Sequence, residues 1–257
     1  RGIGLKSHIG AREEFVLTVY DAFATPDWIK GGVMYHIFVD RFNRGKETPV
    51  KPYAIMHKSP EEEPIYKPDD KNCYNYDFYG GNLSGITDKL PYLGSLGVNC
   101  IVLSPIFEAF SNHKYDTGNY EKIDIMFGSL EDFEELVKNA DKFGIKIIID
   151  GVFNHTGSDS IYFNRYGSYP GTGAYQSKES PYYSWYRFKG SGDDYECWWG
   201  VDSLPNVNEM DPGDVDFIIT GEDSVIKHWM NLGAKGWRLD VADELPDEFI
   251  QLIRKTM

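Results

Sequence analysis

Hydrophobic and polar positions along this chain follow two periods in turn. Four short apolar runs are nearly continuous and rich in β-branched and aromatic residues, which is typical of strands buried on both faces of a sheet. These runs cover residues 33–40, 98–103, 145–149 and 237–240. Segments with helical periodicity cover residues 84–97, 129–144, 215–232 and 246–257. Because strand and helix alternate, the pattern predicts a parallel sheet with helices outside it.

Local residues mark where two of these helices begin. Ser129 and Asp132 form a capping-box pattern, with Asp in place of the usual Glu, and Gly144 ends the same helix. Pro246 lies in the first turn of the last helix. One face of the Ser129 helix is apolar and is predicted to contact the sheet through Phe133, Leu136, Val137 and Ala140.

Four stretches lack a helical period. Residues 43–76 are rich in Pro, Lys and Glu and predict a long loop, and residues 104–128 predict a second loop rich in Tyr, Asn and Asp. Residues 151–212 are rich in Tyr, Gly, Ser and Trp and predict an irregular insertion. Residues 15–20 predict an isolated strand, the tail of a preceding β domain.

Composition narrows the classes of function. The formal net charge of −14, from 40 acidic and 26 basic residues, disfavours binding to nucleic acid or to an anionic membrane surface. No apolar stretch has the length of a membrane span. The cysteines Cys73, Cys100 and Cys197 are too widely spaced for a disulfide framework or a zinc motif. A neutral partner such as a carbohydrate suits this charge, and aromatic rings beyond those needed for the core can stack on sugars.

Two carboxylates end neighbouring predicted strands. Asp150 ends the third strand and Asp240 ends the fourth. The carboxyl ends of parallel strands meet at one edge of a sheet, where barrel enzymes carry their active sites. Arg238 lies on the same side of its strand as Asp240, so as a buried cation it would keep this carboxylate ionised. An ionised carboxylate suits a nucleophile, and a purely structural Arg–Asp pair is the alternative.

Five motifs stand in a fixed order along the chain. They cover residues 78–83, 97–107, 113–116, 150–155 and 236–244, and read FYGGNL, GVNCIVLSPIF, HKYD, DGVFNH and GWRLDVADE. In order and spacing they resemble the α-amylase family, glycoside hydrolase family 13, with Lys114 in place of the family's glycine. The segment SLPNVN at residues 203–208 and the ending VADE resemble the neopullulanase and cyclomaltodextrinase subgroup.

The resemblance implies an α/β fold, the N-terminal half of a (β/α)8 TIM barrel with an irregular insertion, domain B, after strand 3. The chain would end after the fourth barrel strand and its helix. An open doubly wound sheet also fits the alternation, although no Gly-rich phosphate turn follows the first strand. The implied parts are a remnant of a β domain with a linker at 1–24, the first part of the barrel at 25–150, the insertion at 151–212 and the continued barrel at 213–257.

The resemblance also implies catalytic roles. Asp240 would be the nucleophile that forms a covalent glycosyl intermediate, Arg238 would orient it, and Asp150 would hold Arg238. Retaining chemistry needs a second carboxyl group, roughly 5 Å away, as the acid/base. In this family that Glu follows a later strand, so it is absent from these 257 residues. We therefore expect the 257-residue chain alone to be inactive.

Further residues are implied to bind the sugar. His155 would hydrogen-bond the sugar in the cleavage subsite, Tyr115 would stack on it, and Asp116 would support the rim. Glu244 would lie toward the leaving-group subsites. Further candidates for sugar contacts are Asn208, Trp198 and Trp199.

No cofactor is implied, although relatives often bind Ca²⁺, a cation that prefers oxygen ligands. Asn154 matches a ligand position of one common calcium site in the family. A second calcium site of the subgroup would lie shortly after the first strand. There the sequence reads NRGKE at residues 43–47, with two cations where carboxylates would help, so we expect that site to be absent.

These features predict a retaining hydrolase that cleaves α-1,4 and α-1,6 bonds of α-glucan oligosaccharides or polysaccharides. A glucanotransferase of the same family is one alternative. A non-catalytic amylase-like binding domain is another, although Asp240, Arg238 and His155 are all retained. Two open sheet edges predict dimerisation, strand swapping or marginal stability. The compartment stays open between cytoplasm and exterior, and the subgroup resemblance favours the cytoplasm.

Overall fold

A computed structural model describes residues 24–65, 75–190 and 192–257. The strand predicted at 15–20 lies outside these residues. The strands of the described part are β1 (Val33–Ile37), β2 (Ile55–Met56), β3 (Asp77–Phe78), β4 (Val98–Leu103), β5 (Phe107–Ala109), β6 (Thr117–Ile123), β7 (Lys146–Gly151) and β8 (Trp237–Leu239). Its α-helices are α1 (Val39–Phe42), α2 (Leu83–Ser95), α3 (Leu130–Lys142), α4 (Pro212–Val215), α5 (Val225–Asn231) and α6 (Asp247–Thr256).

The central layer is a parallel sheet in the order β1-β4-β7-β8. The inner strands β4 and β7 are almost wholly buried, as their apolar runs predict. Val33 and Met34 at the start of β1 are exposed, because this outer strand has one neighbour among the described strands. The spatial order follows the sequence without the reversal that defines a doubly wound sheet. The strands therefore form part of a (β/α)8 barrel, and the doubly wound alternative is wrong.

Helices α2 and α3 form where the helical period predicts them. Asn82 caps α2 by accepting a backbone N–H three residues on, at 2.9 Å. The capping box of α3 is confirmed, since Ser129 Oγ accepts from Asp132 N at 3.4 Å and Asp132 Oδ2 accepts from Ser129 N at 2.9 Å. Gly97 and Gly144 follow the two helices with positive φ, which glycine adopts without steric cost.

The single helix predicted at residues 215–232 is wrong. Gly221 N donates to Asp216 O, five residues earlier, at 2.8 Å, and the chain forms a π-helical turn there. Ser224 Oγ then donates to Ile219 O at 2.8 Å. These polar contacts separate α4 from α5, and the break falls at the polar run GEDS of residues 221–224.

The loop predicted at residues 104–128 contains an antiparallel hairpin, β5 with β6. The insertion covers β6, because Gly157 N donates to Thr117 O and Ile161 N donates to Gly118 O, each at 2.9 Å. Polar residues of β6 are therefore buried by neighbouring backbone and not exposed to water. The strand consequently lacks the alternation by which a half-exposed strand is recognised.

Residues 151–212 form the irregular insertion that was predicted. Among its described residues, regular structure ahead of α4 is limited to 3-10 turns and isolated β-bridges. Its interior is aromatic: the Phe163 ring lies 4.8 Å from the rings of both Tyr186 and Tyr195. Most aromatic residues here serve packing, as composition alone suggests.

One apolar core joins the sheet, the helices and the insertion. Trp229 of α5 is fully buried, with its ring 5.1 Å from Phe107 and 5.3 Å from Phe133. Its indole N–H donates to Tyr120 O at 2.8 Å, so the buried polar group is satisfied. None of the helices in the described ranges has the length and hydropathy to cross a membrane.

Candidate active site

The carboxyl ends of β7 and β8 bring two carboxylates to one arginine. The strands pair with Asp150 opposite Arg238. Arg238 Nη1 donates to both oxygens of Asp150, at 2.9 and 3.0 Å, and to Asp240 Oδ1 at 2.6 Å. One guanidinium nitrogen thus joins the two carboxylates and sets their mutual position.

Burial and hydrogen bonds shift the pKa values of Asp150 and Arg238 in this cluster. Burial raises the pKa of Asp150 to about 6, although hydrogen bonds from Arg238 and Tyr115 favour its charged form. Burial also opposes the charge on Arg238, but its bonds to Asp150 and Asp240 outweigh this and raise its pKa. The prediction of a buried Arg238 is wrong, since 40% of its side chain is exposed. The reason is that β8, the outer strand of the described sheet, has only β7 beside it.

Tyr115 and Asp116 lie in the turn between β5 and β6. The Tyr115 hydroxyl donates to Asp150 Oδ2 at 3.0 Å, and the Arg238 guanidinium carbon lies 5.9 Å from the centroid of the Tyr115 ring. Asp116 Oδ2 accepts the backbone N–H of Phe110 and Ser111 at 3.2 and 3.1 Å. Tyr115 thus stands beside the catalytic candidates, while Asp116 ties the turn together.

A buried ion cluster anchors the same turn and was not predicted from the sequence. Lys114 has a φ of 64°, a conformation that favours glycine. Its ammonium is fully buried, 2.8 Å from Asp124 Oδ2, and Lys51 also bonds this oxygen. The ammonium lies 5.1 and 5.2 Å from the ring centroids of Phe78 and Phe127. Burial lowers the pKa of Lys114 to about 8. The sequence did carry a signal for this cluster, because Lys114 of the HKYD motif stands where the α-amylase family has glycine.

His155 is buried at the start of the insertion. Its Nδ1 lies 3.2 Å from Asn154 Oδ1, and within the described residues its buried Nε2 has no partner. Burial lowers the pKa of His155, although the charge of Asp240 acts in the opposite direction, so the imidazole is neutral at pH 7. A neutral ring with an unengaged nitrogen can make a hydrogen bond with a sugar hydroxyl.

Two indoles share the carboxylate of Glu244, four residues after Asp240. Trp198 Nε1 donates to Glu244 Oε2 at 3.1 Å, and Trp199 Nε1 donates to Oε1 at 2.8 Å. The Trp198 ring also lies 5.3 Å from the His155 ring. Glu244 therefore links the insertion to the turn after β8, next to His155.

The backbone is strained directly after Asp240. Val241 has a φ of 40°, in the left-handed region that a β-branched residue rarely adopts. Such strain costs roughly 1–3 kcal/mol and persists where the surroundings impose it, often at functional sites. Glu244 N donates to Val241 O at 2.8 Å and closes the turn. This turn sets the direction of both Asp240 and Glu244.

The two asparagines named from the sequence are held by other partners. Asn208 Oδ1 accepts from Arg187 Nη2 at 2.9 Å, so its hydrogen bonds lie within the insertion. Asn154 Nδ2 donates to Glu209 Oε1 at 3.2 Å. Ca²⁺ takes about six to eight oxygen ligands, and the described ranges contain no group of three or more His, Cys, Asp or Glu side chains that could hold a metal ion. These side chains do not assemble a calcium site, so calcium binding stays a prediction.

Comparison with known proteins identifies relatives of this chain. The family described as alpha amylase, catalytic domain, matches residues 36–253. The amylopullulanase of Thermoanaerobacterium thermosulfurigenes is 46% identical over 96% of this chain. Neopullulanase 2 of Thermoactinomyces vulgaris is 35% identical over 91% of it. The cyclic α-maltosyl-(1→6)-maltose hydrolase of Arthrobacter globiformis, solved in complex with that sugar, is 29% identical and matches 91% of this chain with a TM-score of 0.75.

The chain spans only part of each of these proteins. It covers 15% of the amylopullulanase and 38% of neopullulanase 2. It covers 49% of the solved hydrolase chain.

Proposed function

Since this chain belongs to the α-amylase family, we propose that the protein is a retaining glycoside hydrolase that acts on α-glucans. The observation that supports this most is the Arg238 bridge between Asp150 and Asp240. Arg238 holds Asp240 in one orientation, while 15% of the Asp240 side chain stays exposed. These are the properties that a nucleophilic carboxylate needs.

The proposed reaction has two displacement steps. In the first, an oxygen of Asp240 attacks the anomeric carbon as the bond from that carbon to the leaving glucan oxygen breaks. The leaving oxygen takes a proton from a second carboxyl group. In the second step, water attacks the anomeric carbon, gives its proton to that carboxylate and releases Asp240. Two inversions at one carbon retain its configuration.

Neighbouring side chains orient the sugar in this proposal. Tyr115 offers its ring beside Arg238, because its hydroxyl is fixed on Asp150. His155 offers its unengaged Nε2 to a sugar hydroxyl. Asp150 supports the site indirectly by holding Arg238 in place.

We place the proton donor outside residues 1–257. The neighbouring carboxylates are already engaged, Asp150 with Arg238 and Glu244 with two indole N–H groups. Residues 1–257 alone are therefore expected to show no turnover of maltooligosaccharides. The dimer expected from two open sheet edges stays a separate prediction.

The proposed substrates are α-glucans with α-1,4 or α-1,6 linkages. This class follows from the names of the relatives, which include an amylopullulanase, a neopullulanase and a hydrolase of cyclic α-maltosyl-(1→6)-maltose. A glucanotransferase would share the intermediate and pass it to a sugar hydroxyl. Products longer than the starting maltooligosaccharide would identify that alternative.

Replacing the nucleophile tests the proposal. In the full-length protein, Asp240→Asn should lower kcat on maltohexaose by on the order of 10⁴-fold or more, because no covalent intermediate forms. The control is Asp243→Asn, an exposed carboxylate in the same turn, which should keep most of the activity. Mass spectrometry after reaction with 5-fluoro-α-glucosyl fluoride should find the adduct on Asp240. Full activity of Asp240→Asn, or a β-anomer as the first product, would contradict the proposal.

A further inference from the structure

One exposed tryptophan is held in an unfavourable conformation. Trp199 leaves 82% of its surface in solvent. Its backbone, at φ 52° and ψ 27°, lies in the left-handed region that is costly for residues with a Cβ. Its indole N–H nevertheless has a fixed partner, Glu244, at 2.8 Å. Core packing cannot explain a large ring that is exposed, strained and oriented at once.

The neighbours of Trp199 lead to the proposed cleavage site. Its ring centroid lies 5.8 Å from that of Trp198, and the Trp198 ring lies 5.3 Å from His155. Asp240 begins the turn that carries Glu244, so both indoles are tied to the chain that supplies the nucleophile. Trp199 therefore stands one ring further out than Trp198 from the residues expected to hold the cleaved sugar.

We propose that Trp199 is a stacking platform for a glucosyl unit adjacent to the one attacked by Asp240. Glu244 is the positioning residue that orients this platform. A glucosyl ring presents a face of C–H groups, and an indole offers the largest flat apolar surface among side chains. The inference rests on the proposed function for its ligand class, an α-glucan of several linked units.

Glu244 contributes by fixing the ring before the substrate arrives. Both of its oxygens accept an indole N–H, one from each tryptophan. A ring already held in place loses little conformational freedom when a sugar stacks on it. Without the carboxylate, the exposed ring would have to be ordered by the substrate, which weakens binding.

Binding of maltohexaose tests the platform without turnover. The full-length protein carrying Asp240→Asn is titrated by calorimetry. Adding Trp199→Ala should weaken binding about five- to tenfold, as expected for loss of one aromatic stack. Trp199→Tyr, which keeps a ring, should recover most of the affinity. Glu244→Ala should weaken binding more than Trp199→Tyr does and less than Trp199→Ala does. The matched control is Tyr92→Ala, an exposed aromatic residue on α2 near the start of β4, at the opposite end of the sheet; it should change nothing.

Turnover of two substrates separates this inference from the proposed function. In the otherwise unmodified protein, Trp199→Ala should raise KM for maltohexaose by the same factor. It should leave kcat/KM for α-glucosyl fluoride unchanged, because a single glucosyl unit cannot reach a second subsite. Unchanged maltohexaose affinity, or equal losses on both substrates, would overturn the platform. An unmodified protein that turns over neither substrate would instead overturn the proposed function, and the binding titration would still report on Trp199.

Discussion

Two segments beside the proposed active site, called its walls below, are stabilised in opposite ways. The Tyr115 wall, residues 110–116, rests on the buried ion pair of Lys114 with Asp124. The Trp199 wall, residues 197–200, rests on hydrogen bonds to the exposed carboxylate of Glu244. Separating a buried pair leaves uncompensated charge inside the protein, whereas exposed groups exchange their partners with water at little cost.

The charges of the Tyr115 wall depend on one another. Burial alone would raise the pKa of Asp124, but Lys114 and Lys51 outweigh it and hold that pKa below its usual range. Burial lowers the pKa of Lys114, and the charge of Lys51, which shares this carboxylate, lowers it further. We infer that the Tyr115 wall is rigid and sets the geometry of the reaction. The Trp199 wall is oriented in advance by Glu244 but contributes little to the stability of the fold, so we expect it to act on substrate affinity.

The largest expected effect comes from removing the buried cation. Lys114→Met in the full-length protein should lower the free energy of unfolding by about 3 kcal/mol, because Asp124 keeps only one of its two cations in a buried site. Denaturant unfolding measures this loss. The matched control is Lys30→Met, which removes a cation from the exposed pair with Asp27 and should leave stability nearly unchanged. Equal stability of the two variants would refute a rigid, charge-anchored wall.

Acid should have the next largest effect, through Asp150 beside the Tyr115 wall. Asp150, which accepts from Tyr115 and Arg238, has a pKa of about 6. Below that pH it takes up a proton and holds Arg238 less firmly, so kcat/KM should fall about tenfold per pH unit. Asp150→Asn should give a low rate that is flat between about pH 5 and pH 7. Affinity for maltohexaose at the Trp199 wall should stay constant over this range.

Stability should move in the opposite direction to activity over the same range. The folded-state pKa of Asp150 lies above its usual value of 3.8, so the folded protein binds more protons than the unfolded chain between those values. The contribution of this group to stability therefore falls as the pH rises from about 4 to about 6, and is constant above that. Thermal unfolding of the unmodified protein and of Asp150→Asn across these pH values measures it. If the unmodified protein instead gained stability relative to Asp150→Asn as the pH rises, the expected sign would be wrong.

The smallest effect on the free energy of unfolding is expected at the Trp199 wall. Glu244→Ala should change the free energy of unfolding by no more than about 0.5 kcal/mol, because the residue is exposed and its bonds can be replaced by water. Denaturant unfolding of Glu244→Ala and Lys114→Met under the same conditions compares the two walls directly. A loss as large as that of Lys114→Met would mean that both walls are structural and would remove the distinction between them.

Much of the fold could be predicted because its signals are local. The apolar runs of β4 and β7 and the capping box of Ser129 each lie within a few residues. The hairpin β5–β6 could not be predicted, since the insertion buries its polar residues and removes the alternation. The break between α4 and α5 had a local signal that was missed, since the polar run GEDS at residues 221–224 interrupts the apolar residues on either side of it.

By itself, the sequence determined the order of strands and helices and the meeting of Asp150, Arg238 and Asp240. Parallel strands place their carboxyl ends at one edge, so two strand ends suffice to predict that contact. Only the tertiary structure decided that the lysine of HKYD is a fully buried cation. It also decided that two indoles share Glu244, a contact between residues 45 and 46 positions apart. Such contacts depend on the path of the insertion, and an irregular segment has no period from which its path can be read.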